Sequence, residues 1–526
     1  MRPNRLNGFL RRFSSLLVAP AIVITFLGSA AHGANRYWDG GTTNIAANGD
    51  GASGGTAGNW DTTITNWDQG SGLAHVAWNN ASIDDAFFAG TGATVTLTAP
   101  VTTGNLTFTS SGYTLAGTNA LTFGGTSATI TNSTLATSGT TTISAPITGM
   151  LVGGLTIAAS GDMSPTGGGA SGLGVKLSGT NTFFGAITVT SGLLSYASDA
   201  ALGDVSNTIT LNGGGLLDSG VNLTINRDIN VAAGGGIFRT YGAATATVTG
   251  ALSGSGAFGR TDGGTLILAG SNSYTGTFTS NSSCSTIFTG NNAATTYNVN
   301  GGSITVGNNG TSGALAAGSV VNLADNTSLY VRRSDVVNAA GILPATINLA
   351  GANSKFEYNP TSQIAQLSFD QDFGSDAAKG YFRVSGGTLT LEANTDVVAN
   401  TVSMGLQSAT NQGRLELLYG STLTTRFFNI GETTNNSGVI TQRVRFHRDR
   451  AGRWQRFPSR PLDQRQQSRK HLQPRGRHAR CQRPVCQHRH RRRDQHRLGR
   501  PGRHGRGWRI ECRAAQGTGY PARCEW

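Results

Sequence analysis

Several groups of residues in this 526-residue chain have types and spacings that could do chemistry. Cys481 and Cys486, followed by His488 and His490, offer the thiolate and imidazole ligands that hold zinc. Asp84-Asp85 and Asp370-Gln371-Asp372 are the nearest approach to the paired carboxylates that bind calcium or cleave glycosidic bonds. Gly51-Ala52-Ser53-Gly54-Gly55 satisfies G-x-S-x-G, and its serine would need His75 as general base. Gly254-Ser255-Gly256-Ala257-Phe258-Gly259 satisfies G-x-G-x-x-G, the glycine spacing of a dinucleotide-binding turn. Trp38, Trp60, Trp67 and Trp78 could stack on sugar rings.

Each candidate meets an obstacle in the elements that would have to position it. A structural zinc site wants two ligand pairs around a small hydrophobic framework; Cys512 and Cys524 are distant and the region has almost no apolar residues. Neighbouring acids on a strand point to opposite faces, so Asp84 and Asp85 are expected in solvated turns rather than aimed at one bond. A nucleophile elbow needs a strand-to-helix turn, and a dinucleotide turn needs a helix after it. Gly259 is succeeded by Arg260-Thr261-Asp262-Gly263-Gly264 and then a strand, a sequence that predicts a turn between strands. The tryptophans are expected to pack as a cap over the open end of a repeat core, with sugar stacking as the alternative. Cys284 reads as a small buried hydrophobe or an unpaired thiol. The residues therefore predict no catalytic, cofactor-binding or metal-ligating set, no cofactor, and a protein that is not an enzyme.

Charge divides the chain at Gln442/Arg443. Residues 443–526 hold 25 Lys/Arg against 5 Asp/Glu, or +20, whereas residues 1–442 hold 16 against 22, or −6. The formal +14 describes neither part. Four of the five cysteines and seven of the nine histidines also lie after the seam, so the body has little inventory for metal or nucleophile chemistry. The tail is rich in Arg, Gln, His, Pro and Gly, nearly without Lys, and unpatterned. Nucleic-acid or anionic-surface binding through its arginines is one reading. A frameshift near residue 442 accounts for more, because a GC-rich gene read out of frame gives this composition and the change interrupts a repeat. The tail is expected to be disordered, with no specific nucleic-acid partner.

The amino terminus reads as a targeting segment. Arg2, Arg5, Arg11 and Arg12 precede an apolar run from Phe13 to Leu27, with small residues at Ser29-Ala30-Ala31 and Ala31-His32-Gly33 for cleavage. An uncleaved anchor is the alternative. Processing of residues 1–33 would leave an acidic, exported body with a single cysteine and no membrane-spanning apolar run.

From residue 34 to 442 short strand-like runs recur: Thr94 to Thr98, Leu106 to Phe108, Thr208 to Leu211, Ala246 to Val248, Thr265 to Leu268, Ser303 to Val306. Each alternates apolar and polar residues between Gly, Asn or Ser clusters. A body of about 400 residues is too long for one sandwich, whereas a solenoid adds length without thickening its core. With roughly twenty-odd residues per coil and strands ~4.8 Å apart, sixteen or so coils make a rod on the order of 75 Å. Stacked Asn at coil corners can form amide ladders. A pattern L-x-G-x-N-x-[FY]-x-G occurs at Leu177-Ser178-Gly179-Thr180-Asn181-Thr182-Phe183-Phe184-Gly185 and again at Leu268-Ala269-Gly270-Ser271-Asn272-Ser273-Tyr274-Thr275-Gly276. It reads as a strand end, a Gly/Asn turn, and an aromatic packing into the next coil.

These segments resemble the autotransporter-associated β-strand repeat of large exported bacterial proteins. The resemblance extends to Ser191-Gly192-Leu193-Leu194, Ala200-Ala201-Leu202-Gly203, Leu252-Ser253-Gly254-Ser255-Gly256 and Gly263-Gly264-Thr265-Leu266. The opening Tyr37-Trp38-Asp39, with Asp84-Asp85-Ala86-Phe87, is similar to the start of many such proteins. It implies an all-β, right-handed parallel β-helix exported to the cell surface or secreted, with no shared catalytic residues. The expected organisation is a signal peptide (1–33), a cap region with the Trp cluster (34–90), a β-helix (91–442) with repeat copies near 177–203 and 268–290, and the Arg-rich tail (443–526). The expected role is structural or adhesin-like, through multivalent contact with extracellular polysaccharide or neighbouring cell surfaces; a β-helical polysaccharide lyase or hydrolase is the alternative.

Overall fold

In a computed structural model of the chain, the structure describes residues 33–430 except 134–138, 161–172, 219, 345, 363, 370, 372, 375–378, 405–412 and 419–420, together with a few short strands beyond them. The targeting segment, Asp370 and Asp372, and Cys481, Cys486, His488 and His490 lie outside the described residues. So does the Arg-rich tail, apart from the strands Phe446–Arg448, Trp454–Arg456 and Trp508–Glu511.

The described chain is a parallel β-helix. Its elements are strands of two to nine residues, interrupted only by the short 3-10 turns Asp199–Leu202 and Ala339–Gly341. From Asp85–Phe88 to Thr422–Ile430 every pairing between described strands is parallel, each strand lying on its counterpart one turn earlier. The alternation explains why. Thr265–Leu268 turns Leu266 and Leu268 inward and leaves Thr265 and Ile267 half-buried. One face of each short strand is thus apolar, and it can be buried only by winding the chain around it.

Stacking carries each inward side chain onto its like. Ile187, Ile209, Ile229 and Leu252 form one interior column in direct register, all buried. Burial of each such side chain stabilises the stack by about 1.5–3 kcal/mol relative to exposure. The longest sheet holds thirteen strands, from Gly58–Trp60 to Thr346–Leu349. Further rungs at Phe373, Val397 and Leu423 continue the stack. At ~4.8 Å per rung the rod is on the order of 60–75 Å long. Turn length varies, from the 18 residues between Ser285 and Ser303 to the 34 between Thr141 and Val175.

At the amino-terminal end the pairing changes sense. Asn35–Trp38 lies parallel to Asp85–Phe88 but antiparallel to Thr65–Asp68, which pairs antiparallel with Val76–Ala77. Trp38, Trp60 and Trp67 are fully buried and Trp78 nearly so. Their ring centroids lie 4.6–5.1 Å apart, and Phe88 packs against three of them. The rings close the end of the core. Sugar stacking is overturned by this burial, because no ring face is open.

The repeated pattern has a physical explanation at each position. Leu177 and Leu268 end inward-facing strands, and Phe183 and Tyr274 are buried. The two asparagines sit inside the coil. Asn181 Oδ1 accepts from the Ile147 amide (2.7 Å) while its Nδ2 donates to the Ala201 carbonyl (2.6 Å). Asn272 accepts from the Leu252 amide (2.7 Å) and donates to Asn292 Oδ1 (2.7 Å). Each therefore ties the preceding turn to the following one. The glycines lie where backbones touch: a Cβ on Gly270 would stand 2.2 Å from the Gly250 carbonyl oxygen, and one on Gly276 would stand 2.1 Å from that of Gly256.

Candidate functional site

The amino-terminal end brings together the serine, histidine and an aspartate that a hydrolase would need. Ser53 and His75 both lie in irregular segments near the sheet edge, and Asp39 follows Trp38 at the end of its strand. His75 Nε2 is 2.6 Å from Asp39 Oδ2 and Nδ1 is 2.7 Å from the Ala47 carbonyl. Both ring nitrogens thus face oxygen acceptors, an arrangement that the imidazolium, with two N–H donors, satisfies fully. Burial alone would lower the His75 pKa, but the Asp39 carboxylate and the Ala47 carbonyl outweigh it and hold it above the usual histidine value. Ser53 Oγ donates to the Trp38 carbonyl (2.5 Å) and accepts from the Ala89 amide (3.0 Å). No nitrogen of His75 is left to take its proton, so Asp39, Ser53 and His75 are a structural cluster that pins loop to strand.

The acids behave alike. Asp84 accepts from the Ala34 amide (2.9 Å) and Arg36 Nε (2.8 Å), while Asp85, on the opposite face, accepts from the Asn105 amide (2.6 Å) and Nδ2 (3.1 Å). Asp84 is buried rather than in a solvated turn, which corrects the expectation for it. Its partners explain the difference, since a buried carboxylate is tolerated where charge and amide donors meet it. Among the described residues no three His, Cys, Asp or Glu converge as a metal cluster. Gly254-Ser255-Gly256 leads into the strand Phe258–Thr261 and not into a helix, which removes the phosphate-binding geometry.

Sequence reasoning missed the buried ion pairs. Arg239 Nε and Nη2 meet the two oxygens of Asp262 at 2.8 and 3.1 Å, with both side chains nearly inaccessible. Arg227 donates to Asp199 Oδ1 (3.2 Å) and to the carbonyls of Asp199 (2.9 Å), Gly203 (2.8 Å) and Asp204, stapling the 3-10 turn one coil earlier. In the same interior, Arg260 donates to the Gly264 carbonyl (2.8 Å), and burial lowers its pKa. Burial likewise pushes the Asp218 carboxyl up. Cys284 is buried and free, its thiol donating to the Asn281 carbonyl (2.8 Å). Arg239 and Asp262 lie 23 residues apart and Arg227 and Asp199 lie 28 apart, each pair on different turns, so no local spacing announces them. Burial excludes the Arg239–Asp262 pair from contact with a polymer.

The outer surface is the part left open to a partner. Asn298, Asn322 and Asn348 occupy equivalent outward positions on three successive turns, and their amides hydrogen-bond in a line at 2.8 and 2.7 Å. Thr122 and Thr148 pair in the same way at 2.7 Å. Such columns repeat one polar chemistry over two or three successive rungs.

No family model matches the chain, and no solved structure matches it. It is 32% identical over 449 residues to the adhesin BmaC autotransporter of Brucella suis biovar 1 (strain 1330). That match takes in 82% of the chain and 11% of the relative, so the chain spans about a tenth of the relative's length. No helix among the described residues is long and apolar enough to cross a membrane.

Proposed function

The chain is a passenger-type β-helix related to the autotransporter adhesins, and on that premise we propose that it acts as an adhesin-like rod at the cell surface or in the secreted state. One observation supports this most: three successive turns present an outward asparagine column at ~4.8 Å intervals, while the Arg239–Asp262 pair and Ser53 are sunk in the fold. Contact is then multivalent. Each rung contributes a weak interaction, and the repetition supplies avidity. Extracellular polysaccharide or a neighbouring cell surface is the partner class, and the role is not enzymatic. The Arg-rich segment from Arg443 takes no part; it is read as out-of-frame translation, and the other two frames downstream of codon 442 should resume Gly/Thr/Asn-rich repeats.

The test is adhesion of cells or beads carrying the full chain to polysaccharide- and cell-coated surfaces, with variants lacking one, two or three whole turns. Adhesion should fall in steps with the number of turns removed. Complete loss on deletion of any single turn would replace the multivalent reading with a single site, and absence of adhesion by the intact chain would end it.

A further inference from the structure

The outward face of one sheet changes character along the rod. In one register column Ser285, Ser303 and Ser328 give way to Lys355 and Tyr381. In the next, Thr305 gives way to Tyr330, Glu357 and Arg383. The inward neighbours Leu329, Phe356 and Phe382 remain buried and hold the strands as before. Earlier turns stack with Thr245, Thr265 and Ser285 in the first column and with Thr247, Ile267 and Ile287 in the second, so the fold does not require tyrosine or arginine here.

These side chains are arranged with respect to one another. Lys355 Nζ lies 4.8 Å from the Tyr330 ring centroid and 3.0 Å from its hydroxyl, and the Arg332 guanidinium lies 5.0 Å from the same ring. The Arg383 guanidinium stands 5.5 Å from the Tyr381 ring. The acid in their midst is sunk: Glu357 is 2% exposed, with Lys355 Nζ at 3.1 Å and the Ser385 hydroxyl donating at 2.7 Å. Arg332, Lys355 and Arg383 thus lie half-exposed around the buried Glu357, on a body whose residues 1–442 are acidic overall. The tyrosine rings hold the cations in place by cation–π attraction, which reduces the ordering cost of binding.

We propose that this patch, spanning Ser328–Val331, Lys355–Tyr358 and Tyr381–Val384, binds an acidic polysaccharide of the polyuronate class. Arg332, Lys355 and Arg383 meet the sugar carboxylates, and the hydroxyls of Tyr330 and Tyr381 hydrogen-bond to the sugar hydroxyls. Two rung intervals cover ~10 Å, within reach of a short oligosaccharide. The inference rests on the adhesive reading above and names its ligand.

Hydroxyl-radical footprinting of the full chain with polygalacturonate tests it, because it reads individual side chains and separates the patch from the Arg-rich tail. Modification of Tyr330 and Tyr381 should fall at least threefold with polygalacturonate and stay unchanged with neutral dextran. The double variant Arg332→Gln, Arg383→Gln, which keeps the Lys355–Glu357 pair, should lose that protection. Its ligand-free footprint at Phe356 and Phe382 shows whether the fold is kept; if it is not, Tyr330→Thr with Tyr381→Thr, read by the change in retention on polygalacturonate resin, takes its place. Equal protection by dextran sulfate would assign the patch to polyanions at large and overturn the uronate class. Protection confined to residues from 443 on would overturn the patch while leaving the adhesive reading intact, whereas failure of the intact chain to adhere to any surface would remove that reading itself.

Discussion

Asn272→Ala should damage this protein far more than Asn322→Ala, although both remove a stacked asparagine. Asn272 is 5% exposed and spans two turns, accepting from the Leu252 amide and donating to Asn292 Oδ1, both at 2.7 Å. Truncation leaves that amide and that oxygen without partners inside the coil. Each orphan costs about 1–3 kcal/mol, so the sum is roughly 2–6 kcal/mol. Asn322 bonds Asn298 and Asn348 on the outer face, where water replaces the amide and the cost is about 0.5 kcal/mol. A solenoid's stability is close to a sum over turns, so the loss should be local. Native-state hydrogen exchange of the full chain reads it directly. In Asn272→Ala, amides of Leu252–Gly254, Thr265–Leu268 and Ser285–Phe288 should exchange about thirtyfold faster or more, at tenfold per 1.4 kcal/mol. In Asn322→Ala, exchange on its own and adjacent strands should change by less than about threefold. Asn181→Ala should match Asn272→Ala in its own turns. Equal effects from Asn272→Ala and Asn322→Ala would refute the claim that the repeat's asparagine is an interior tie.

Three further perturbations have definite outcomes. Gly276→Ala places a Cβ 2.1 Å from the Gly256 carbonyl oxygen and 2.5 Å from the Tyr274 hydroxyl, and should lower the urea midpoint by the equivalent of about 1–3 kcal/mol; Gly310→Ala, with nothing within 4 Å, should leave it unchanged. Trp67→Ala empties the centre of the aromatic end and should cost about 3–5 kcal/mol, seen as protease cleavage within residues 35–88 before the remaining turns are cut. His75→Gln tests the linkage with a defined sign. Because its folded pKa is raised, the histidine's contribution is complete below about pH 6.5 and is lost as pH rises through the higher folded value. The stability gap between wild type and variant, followed by tryptophan fluorescence, should therefore be largest below about pH 6.5 and shrink as pH rises above it; a gap that widens with pH would contradict the imidazolium assignment.

The fold was legible because its rule is local. Thr265–Leu268 and Ser303–Val306 have the bounds that alternation predicts, since inward and outward residues alternate along each strand whatever lies above or below. The L-x-G-x-N-x-[FY]-x-G pattern was readable for the same reason, though the sequence does not reveal that its asparagine is interior. Contacts between turns were not legible. Asp39 meets His75 across 36 residues and Arg239 meets Asp262 across 23, and turn length varies from 18 to 34 residues, which no fixed repeat period announces. Without the register, a G-x-S-x-G with one histidine and an Asp-Asp pair could be rejected only on type; with it, they are rejected on geometry.

The same register shows why function in this chain has to be sought outside its motifs. Inward positions are constrained by stacking: an interior column reads Ile187, Ile209, Ile229, Leu252, and a polar intruder such as Arg239 or Arg227 is kept only with a dedicated partner. Outward positions escape that constraint, because the backbone ladder forms whichever side chain points to water. A column can therefore pass from Ser328 to Lys355 to Tyr381 without altering the coil beneath it. Binding chemistry can be written there, one residue per turn, at intervals of about 20 residues or more. A motif scan reads neighbours in sequence and misses it; reading every rung of one column finds it.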